Sequence, residues 1–387
     1  MPKRVHMYVT IFLELKERIL GGGLPKGAKL PSEAELSEQY AVSRITSRRA
    51  LNELVEIGLI TRVKGAVSFS NGAPEVPVDP RPKKRLPVIT LMMPFASQLG
   101  RSVDLFHGSR EMAESRGYMV NLLVTERDFA KEREYLQSEM HSYAEGVIIY
   151  PISDVQNLDI LYEIELSGFP IALVDKRVEG IRSTTILSDN LGGSQAAVRH
   201  LVELGHRRIV FVTDMPLGAA SSIRDRFLGY SRAMAEAGLM DHLRIVDYSE
   251  ALRLAFPTGV EAIDRPFATN EALIDFFRHI LRQIRETASC PSAVCAVNDY
   301  VAIHLMRAAA AEGIAIPNEL SLTGFDNIEL AAELPIPLTT VEQDFFSIGY
   351  RAAEHLIDQI EGKHAPSGEI ITLPTRLIPR KSARPPA

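Results

Sequence analysis

Residues 29–65 read KLPSEAELSEQYAVSRITSRRALNELVEIGLITRVKG, and this run decides the fold of the N-terminal part of the chain. Pro31-Ser32-Glu33 opens a helix, since proline and acid suit a helix N-terminus. Ala41-Val42-Ser43 makes a tight turn, and Ser43 is placed to cap a further helix that runs to about Ile57 and stops at Gly58. LITRV and VSF, joined by Lys64-Gly65-Ala66, then form a β-hairpin, or wing. The helix after the turn carries Arg44, Arg48 and Arg49. Its spacing sets Ala50, Leu51 and Leu54 toward a core, and Arg44, Ser47 and Arg48 outward. A short helix so decorated fits the DNA major groove, where arginine meets phosphates and guanine edges.

Upstream, residues 6–21 place Val9, Phe12, Leu13, Ile19 and Leu20 at helical spacing, which predicts an amphipathic helix. Downstream, residues 71–86 hold four prolines, no aromatic residue and a basic end, which predicts an extended linker. The expected division is therefore a DNA-binding domain over 1–72, a linker over 73–86 and a body over 87–387. The charge follows this division. Residues 1–85 carry 15 Lys and Arg against 9 Asp and Glu, leaving 28 against 40 for the rest, although the whole chain is at −6. The cations lie where an electrostatic footprint for DNA requires them.

From Pro87 onward, short apolar runs (VITLMM, MVNLLV, GVIIYP, PIALVD, RIVFVT, SAVCAV) alternate with amphipathic stretches. This predicts an α/β body with parallel sheets covered on both faces, in two lobes because about 300 residues exceed one such sheet. Ligands in such folds sit at the carboxyl ends of the strands. Cys290 and Cys295 read as buried, reduced thiols without metal-ligand spacing around them. No signal-peptide core and no run of about 18 apolar residues occurs, so a cytoplasmic protein without a membrane partner is expected.

Several ordered blocks carry a family resemblance. LPSE (30–33), EL (35–36), VSR (42–44), Thr46, Arg48, AL (50–51) and Gly65 make the first part resemble the GntR-type winged helix. The resemblance implies that Ser43, Arg44, Thr46 and Arg48 touch DNA, with Lys64 and Gly65 near the minor groove; Ser32, Ser47 and Arg49 complete the candidate set. Ala34 stands where many members have arginine, Ser47 where an apolar residue is usual, and Val67 where the wing often has a second glycine. These departures bear on base preference rather than fold.

The blocks ILSDN (186–190), HLVELGHRRIVFV (200–212), RDRFLGY (224–230), AVNDYVAIHLMRAAAAEGIAIPNELSLTGFDN (296–327), PLTTVEQDF (337–345) and TRLIPRKS (375–382) make the body resemble the LacI/GalR-type sensor, which shares its fold with periplasmic sugar-binding proteins. The combination resembles the arabinose-repressor type of hybrid. It implies a carbohydrate-linked transcriptional regulator, with operator DNA, a sugar-like effector and a second copy of the chain as partners, no cofactor and no catalysis. Repression released by ligand is the default; corepression and activation stay open. By the same resemblance Arg226 and Asp299 reach the effector, Gln343 lies near the crossover between the lobes, and Asp175 either lies near the cleft or caps a strand end; all four are taken as effector-site candidates. Arg226 has the alternative of a surface ion pair with Asp225, and Asp299 that of capping a helix starting at Tyr300. Arg101 and Ser102 occupy positions where members often place stacking aromatics. Phe95 is then the stacking candidate, and Arg101 either pairs with an acidic group on the effector or faces solvent. The proline-rich linker cannot form a hinge helix, so coupling would run through the placement of the protomers.

Two other classes compete: a GntR-type head on an aminotransferase-like enzyme body, and a transport binding protein. The chain lacks G-x-S-x-G, H-E-x-x-H, the P-loop motif and a dinucleotide fingerprint after a strand, and its ten histidines form no ligand cluster.

Overall fold

The computed structural model describes residues 7–63, 67–72, 86–95, 101–140, 142–256, 271–286, 290–365 and 367–386. The chain divides into two compact units, Met1–Arg85 and Leu86–Ala387.

The first unit runs α1 (Met7–Leu20), α2 (Glu33–Gln39), α3 (Arg44–Glu56), β1 (Ile60–Val63) and β2 (Val67–Ser70). Ser32 caps α2 in a reciprocal box: its hydroxyl accepts from Glu35 N, and the Glu35 carboxylate accepts from Ser32 N at 2.7 Å. Ser43 caps α3, as its position predicts, by accepting from Thr46 N. β1 and β2 pair antiparallel, from Ile60 opposite Ser70 to Val63 opposite Val67. The segment before α2 joins them, with Leu30 N donating to Ser68 O at 2.8 Å.

Two readings of side-chain direction in this unit are corrected. On α1 the inward stripe is Ile11, Leu15 and Ile19, whereas Leu13 and Leu20 are exposed. The Val9 side chain lies outside the described residues. On α3, Ser47 does not face outward: it is fully buried, and its hydroxyl bonds the Glu33 carbonyl at 2.9 Å and Ser37 Oγ at 3.0 Å. Positions 47, 50, 51 and 54 form one helical stripe, so Ser47 belongs with Ala50, Leu51 and Leu54. A side chain sealed between α2 and α3 cannot reach DNA.

The second unit runs β3 (Val88–Met93), α4 (Arg101–Ser115), β4 (Met119–Val124), α5 (Phe129–Glu139), β5 (Ala144–Ile149), α6 (Leu158–Ser167), β6 (Ile171–Val174), β7 (Thr184–Ser188), α7 (Asn190–Glu203), β8 (Ile209–Thr213), α8 (Ser221–Glu236), β9 (Arg244–Asp247), α9 (Ser249–Ala255), α10 (Glu271–Arg285), β10 (Ala293–Ala296), α11 (Asp299–Ala311), β11 (Ser321–Thr323), α12 (Glu329–Glu333), β12 (Thr340–Glu342), α13 (Phe345–Ile360), β13 (Ile370–Leu373) and β14 (Arg376–Ile378). Two parallel sheets result, ordered β13-β7-β6-β5-β3-β4 and β11-β10-β8-β9. The chain passes between the two lobes after β7, between β12 and α13, and again between β13 and β14. β12 and β14 pair antiparallel.

Central strands are buried on both faces, as continuous apolar runs predict. The edge strands β4 and β9 are not, and Met119, Leu122 and Ile245 stay exposed there. α4 and α13 meet backbone to backbone. A Cβ on Gly108 would stand 1.9 Å from the Phe346 carbonyl oxygen, and one on Gly349 would stand 2.1 Å from that of Leu105. Of the two cysteines, Cys295 is buried in β10, but Cys290 is exposed because it lies before that strand begins. No helix among the described residues is long and apolar enough to cross a membrane.

Candidate functional site

In the first unit, α3 presents Ser43, Arg44 and Arg48 to solvent, with Thr46 half-buried behind them. Ile45 stands beside Arg44 at 78% exposure, an apolar side chain with no core to enter. It was overlooked in the sequence because apolar residues are read as core. Thymine offers a methyl group for such a side chain in the major groove.

Glu33 organises the cations of this face. Its carboxylate accepts from Arg48 Nε at 3.1 Å and pairs with Arg62 of β1, while Arg62 also donates to Asn52 Oδ1 at 2.8 Å. Partial burial pushes the Glu33 carboxyl up, but the two arginines outweigh it and hold it below its ordinary value. Arg49 turns toward α1: its guanidinium lies 3.9 Å from the Tyr8 ring centre and also reaches Glu53 at 3.4 Å. Ser32 is engaged as the α2 cap. Lys64 and Gly65 lie outside the described residues.

In the second unit, the carboxyl ends of β3, β5, β6, β8 and β10 converge on one cavity of about 120 Å³. The first lobe contributes Phe95, Arg101, Arg127, Tyr150, Asp175 and Lys176 to its walls. From the second lobe come Asp214, Ser222, Arg226 and Asn298. This is the position that parallel α/β topology assigns to ligands. The volume is well below the several hundred Å³ of drug-sized pockets, so the space suits a compact polar molecule.

Behind the cavity wall, Arg101 and Arg226 meet in a charge node centred on Asp326, which does not itself line the cavity and which the sequence reading missed although it lies in the quoted GFDN block. The Asp326 side chain has no exposure, and its carboxylate accepts from Arg101 at 2.5 Å, from Arg226 at 3.3 Å and from Gln343 Nε2 at 2.5 Å. Arg226 is buried rather than paired with Asp225. It also donates to Asn190 Oδ1 and Val297 O, both at 2.8 Å, and lies 3.9 Å over the Phe325 ring. Three separately chosen residues thus meet on a fourth, and one of them, Arg101, comes from the opposite lobe. Asp326 itself has φ +116°, a conformation rare for a residue with a side chain, and Asn327 follows at +53°. Observed strain of this kind clusters at ligand sites.

The remaining candidates divide. Phe95 lies in the cavity, with Arg101 and Arg127 at 5.6 and 5.5 Å from its ring centre and an edge contact to Tyr150 at 5.5 Å. Asp175 is also in the wall, at φ +67°, and pairs with Lys176 at 3.5 Å. The Lys176 ammonium donates to Pro151 O at 2.9 Å and stands 4.3 Å over Tyr150. Burial pulls its pKa down while Asp175 opposes.

Ser102 does not line the cavity. Its hydroxyl donates to the Phe95 carbonyl at 3.2 Å. Gln343 does not line the cavity; its amide donates to Asp326. Asp299 is the clearest correction. It neither lines the cavity nor caps a helix, since Asn298 is the cap, accepting from Val301 N at 2.9 Å, and α11 starts at Asp299 itself. The Asp299 carboxylate is fully buried, accepting from Ile328 N at 2.9 Å and Thr340 Oγ1 at 2.5 Å. Burial, and then the neighbouring Asp326, push its pKa up to about 7. The residue one position earlier, Asn298, supplies the amide to the cavity.

Beyond Arg101 and Asp326, the two lobes are joined around the cavity by Arg177 N donating to Ser221 Oγ at 2.8 Å, Ser153 Oγ donating to Ala219 O at 3.3 Å, and Arg224 paired with Asp154 at 3.5 Å.

Residues 7–69 match the family described as "Bacterial regulatory proteins, gntR family". Residues 88–256 match "Periplasmic binding proteins and sugar binding domain of LacI family", and residues 198–383 match "Periplasmic binding protein-like domain". The chain is 27% identical over 390 residues to the arabinose metabolism transcriptional repressor of Geobacillus stearothermophilus, covering 99% of each. It is 28% identical over 296 residues to the ribose operon repressor of Halalkalibacterium halodurans, covering 75% of this chain and 76% of that one. A solved LacI family transcriptional regulator from Enterococcus faecium, with bound ribose, matches with a TM-score of 0.61 at 23% identity, over 77% of this chain and 99% of that one. Likeness at that identity is one of fold.

Proposed function

Because the chain belongs to the regulators that join a GntR-type DNA-binding domain to a LacI-type periplasmic-binding-protein-like body, we propose that it is a transcriptional repressor that binds operator DNA as a dimer and leaves it when a small sugar-like effector enters the cavity of the body. The boundaries taken for this reading are 1–72, 73–86 and 87–387. Relatives named for arabinose metabolism and for a ribose operon support a carbohydrate-linked role.

The observation that carries the reading is the Asp326 node. One carboxylate is shared by Arg101 of the first lobe and Arg226 of the second, and both arginines line the cavity at the carboxyl ends of both main sheets. A guest with hydroxyl or acidic groups competes for those arginines and so alters a bond between the lobes. Arginine's fixed fork of donors suits such a guest. Phe95 and Tyr150 offer faces to its carbon skeleton, Asp175 and Asp214 offer acceptors to its hydroxyls, and Asn298 offers its amide NH2. On the DNA side, Ser43, Arg44, Ile45, Thr46 and Arg48 are the contacts assigned to α3, with Lys64 and Gly65 at the wing. A single short helix makes few base contacts, so two copies on two half-sites about one helical turn apart supply the specificity. A coupling of roughly 1–3 kcal/mol between cavity and DNA changes operator affinity by about 5- to 150-fold.

Selection of random duplexes by the full chain at low ionic strength, followed by anisotropy titration of the enriched sequence, tests the reading. Nanomolar binding that weakens with salt and with a compound bound by the body is expected. Failure to enrich any duplex refutes it.

A further inference from the structure

Ile45 is the most exposed large apolar side chain of the first unit among the described residues, at 78%. A single apolar residue in solvent is ordinary on a protein surface. This one is set apart by where it stands. It is the second residue of α3, directly after Arg44, on a helix capped by Ser43. The Cα–Cβ bonds of a helix tilt toward its N-terminus, so side chains of the first turn lead the helix into whatever it enters. Ile45 belongs neither to the apolar core of this unit nor to the residues packed against it. Helix propensity does not account for it either, because a β-branched residue is a poorer helix former than alanine, lysine or glutamate.

Most polar side chains around it already have partners inside the protein. The hydroxyls of Ser43 and Thr46 meet at 2.9 Å, and Ser43 Oγ also accepts from Thr46 N at 3.3 Å. Ser47 is sealed between α2 and α3. Arg48 is bound to Glu33 through Nε at 3.1 Å, and Arg49 leans on Tyr8 and Glu53. Arg44, exposed beside Ile45, suits a phosphate or a guanine edge. Phosphates are alike in every sequence, so contacts to them position the helix without reading it. Ile45 has no hydrogen bond to offer, and the groove can satisfy it only with an apolar group. The major groove of DNA carries one such group, the 5-methyl of thymine. Pressed on any other base edge, an isoleucine strips water from donors and acceptors and returns nothing. The same side chain therefore favours one base and disfavours the rest. The surrounding unit suits DNA: residues 1–85 carry 15 Lys and Arg against 9 Asp and Glu, and residues 7–69 match the gntR family.

Resting on the reading of α3 as the helix that enters operator DNA, we infer that Ile45 is a specificity-determining residue, its side chain packed on the 5-methyl group of one thymine in each operator half-site. A dimer on a two-fold operator uses the contact twice. Losing one buried methyl group costs roughly fourfold in affinity, so losing it from both half-sites costs about 15-fold.

The test uses the full chain and the duplex that it enriches by selection. Each symmetric pair of thymines is replaced in turn by deoxyuridine, which removes the methyl group and keeps every hydrogen-bonding group of the base. Affinity is read by anisotropy. One pair is expected to cost the wild type about 15-fold. In Ile45→Ala, which binds the unmodified duplex more weakly, replacing that same pair should cost almost nothing. Ile57→Ala removes another exposed apolar side chain, at the far end of α3, and should keep the full wild-type cost. Neither substitution empties a core position, and alanine is the best helix former, so both variants retain the fold. Tolerance of uracil at every position, a uracil cost that persists in Ile45→Ala, or one that vanishes equally in Ile57→Ala overturns the inference. Tight binding of a selected duplex with indifference to uracil removes this role of Ile45 and keeps the regulator. Failure to enrich any duplex refutes the regulator, and this inference with it.

Discussion

Asp326→Asn removes the charge shared by Arg101 and Arg226 behind the cavity wall without changing the shape of the side chain. In the native protein the carboxylate has no solvent exposure and holds two guanidinium groups, at 2.5 and 3.3 Å, and the Gln343 amide. An asparagine still offers one acceptor, but its Nδ2 cannot be accepted by either guanidinium and finds an acceptor only if the Gln343 amide turns over. Breaking a buried pair by removing one partner costs about 3–5 kcal/mol. The lower end applies here, because each arginine keeps other partners. Arg226 retains Asn190, Val297 and the Phe325 face, and Arg101 retains the rings of Phe95, Tyr300 and Phe345 at 5.4 to 5.8 Å. A loss of about 3 kcal/mol is expected for unfolding of the body at pH 7. With a urea m-value of about 3 kcal/mol per molar, the midpoint falls by about 1 M. The assay is urea denaturation of wild type, Asp326→Asn, Arg101→Met and the double variant. The cycle should return a coupling of roughly 1–2 kcal/mol between Arg101 and Asp326, as contacting charged groups do. A single-variant loss below about 0.5 kcal/mol, the range of surface substitutions, would refute the buried node.

Other expectations follow from particular contacts. Asp299 has its carboxyl raised from 3.8 to about 7 by burial and then by Asp326. The folded state therefore takes up this proton more readily than the unfolded one, so its contribution to stability is greatest below about pH 4 and is lost as pH rises to about 7. Asp299→Asn, a mimic of the protonated form, should flatten stability between those limits; urea midpoints that retain the wild-type slope would count against it. Gly349→Ala drives a Cβ to 2.1 Å from the Leu105 carbonyl oxygen and should force α4 off α13, destabilising the body by about 1–3 kcal/mol or more. An unchanged melting temperature would contradict the close crossing. Arg44→Ala, at an exposed position on α3, should lower the slope of log affinity against log salt by about 0.9 if it meets one phosphate, leaving sequence preference nearly intact. An unchanged slope would take Arg44 off the backbone.

The first unit was the more legible part. Ser32, Ser43 and Gly58 punctuate helices by local chemistry, and a cap needs only its own next three residues. Ser47 shows where reading by residue type fails. Its polarity suggested the surface, while its spacing from Ala50, Leu51 and Leu54 already put it in the core. Ile45 is the reverse case, an apolar side chain left in solvent. In the body, Arg226 was found because it lies in a block of recognisable residues. Asp326 lies in one too, but its role depends on Arg101, which is 225 positions away in sequence. Asp299 follows from the resemblance, and a carboxylate suits adjacent hydroxyls. Only burial shows that this one has both oxygens engaged with Ile328 and Thr340.

Periodicity, caps and breakers act over a few residues, so the order of residues alone determined the helix–turn–helix–wing element, the alternation that makes two parallel sheets, and the segregation of cations into the first 85 residues. Which side chains share one cavity was decided only by the tertiary structure. The chain passes between the lobes after β7, after β12 and after β13, and those passages bring strand ends from distant parts of the sequence together. The meeting of Arg101 with Asp326 follows from this convergence: electrostatic partners are set by distance in space and by exclusion of water, and neither quantity is written along the chain.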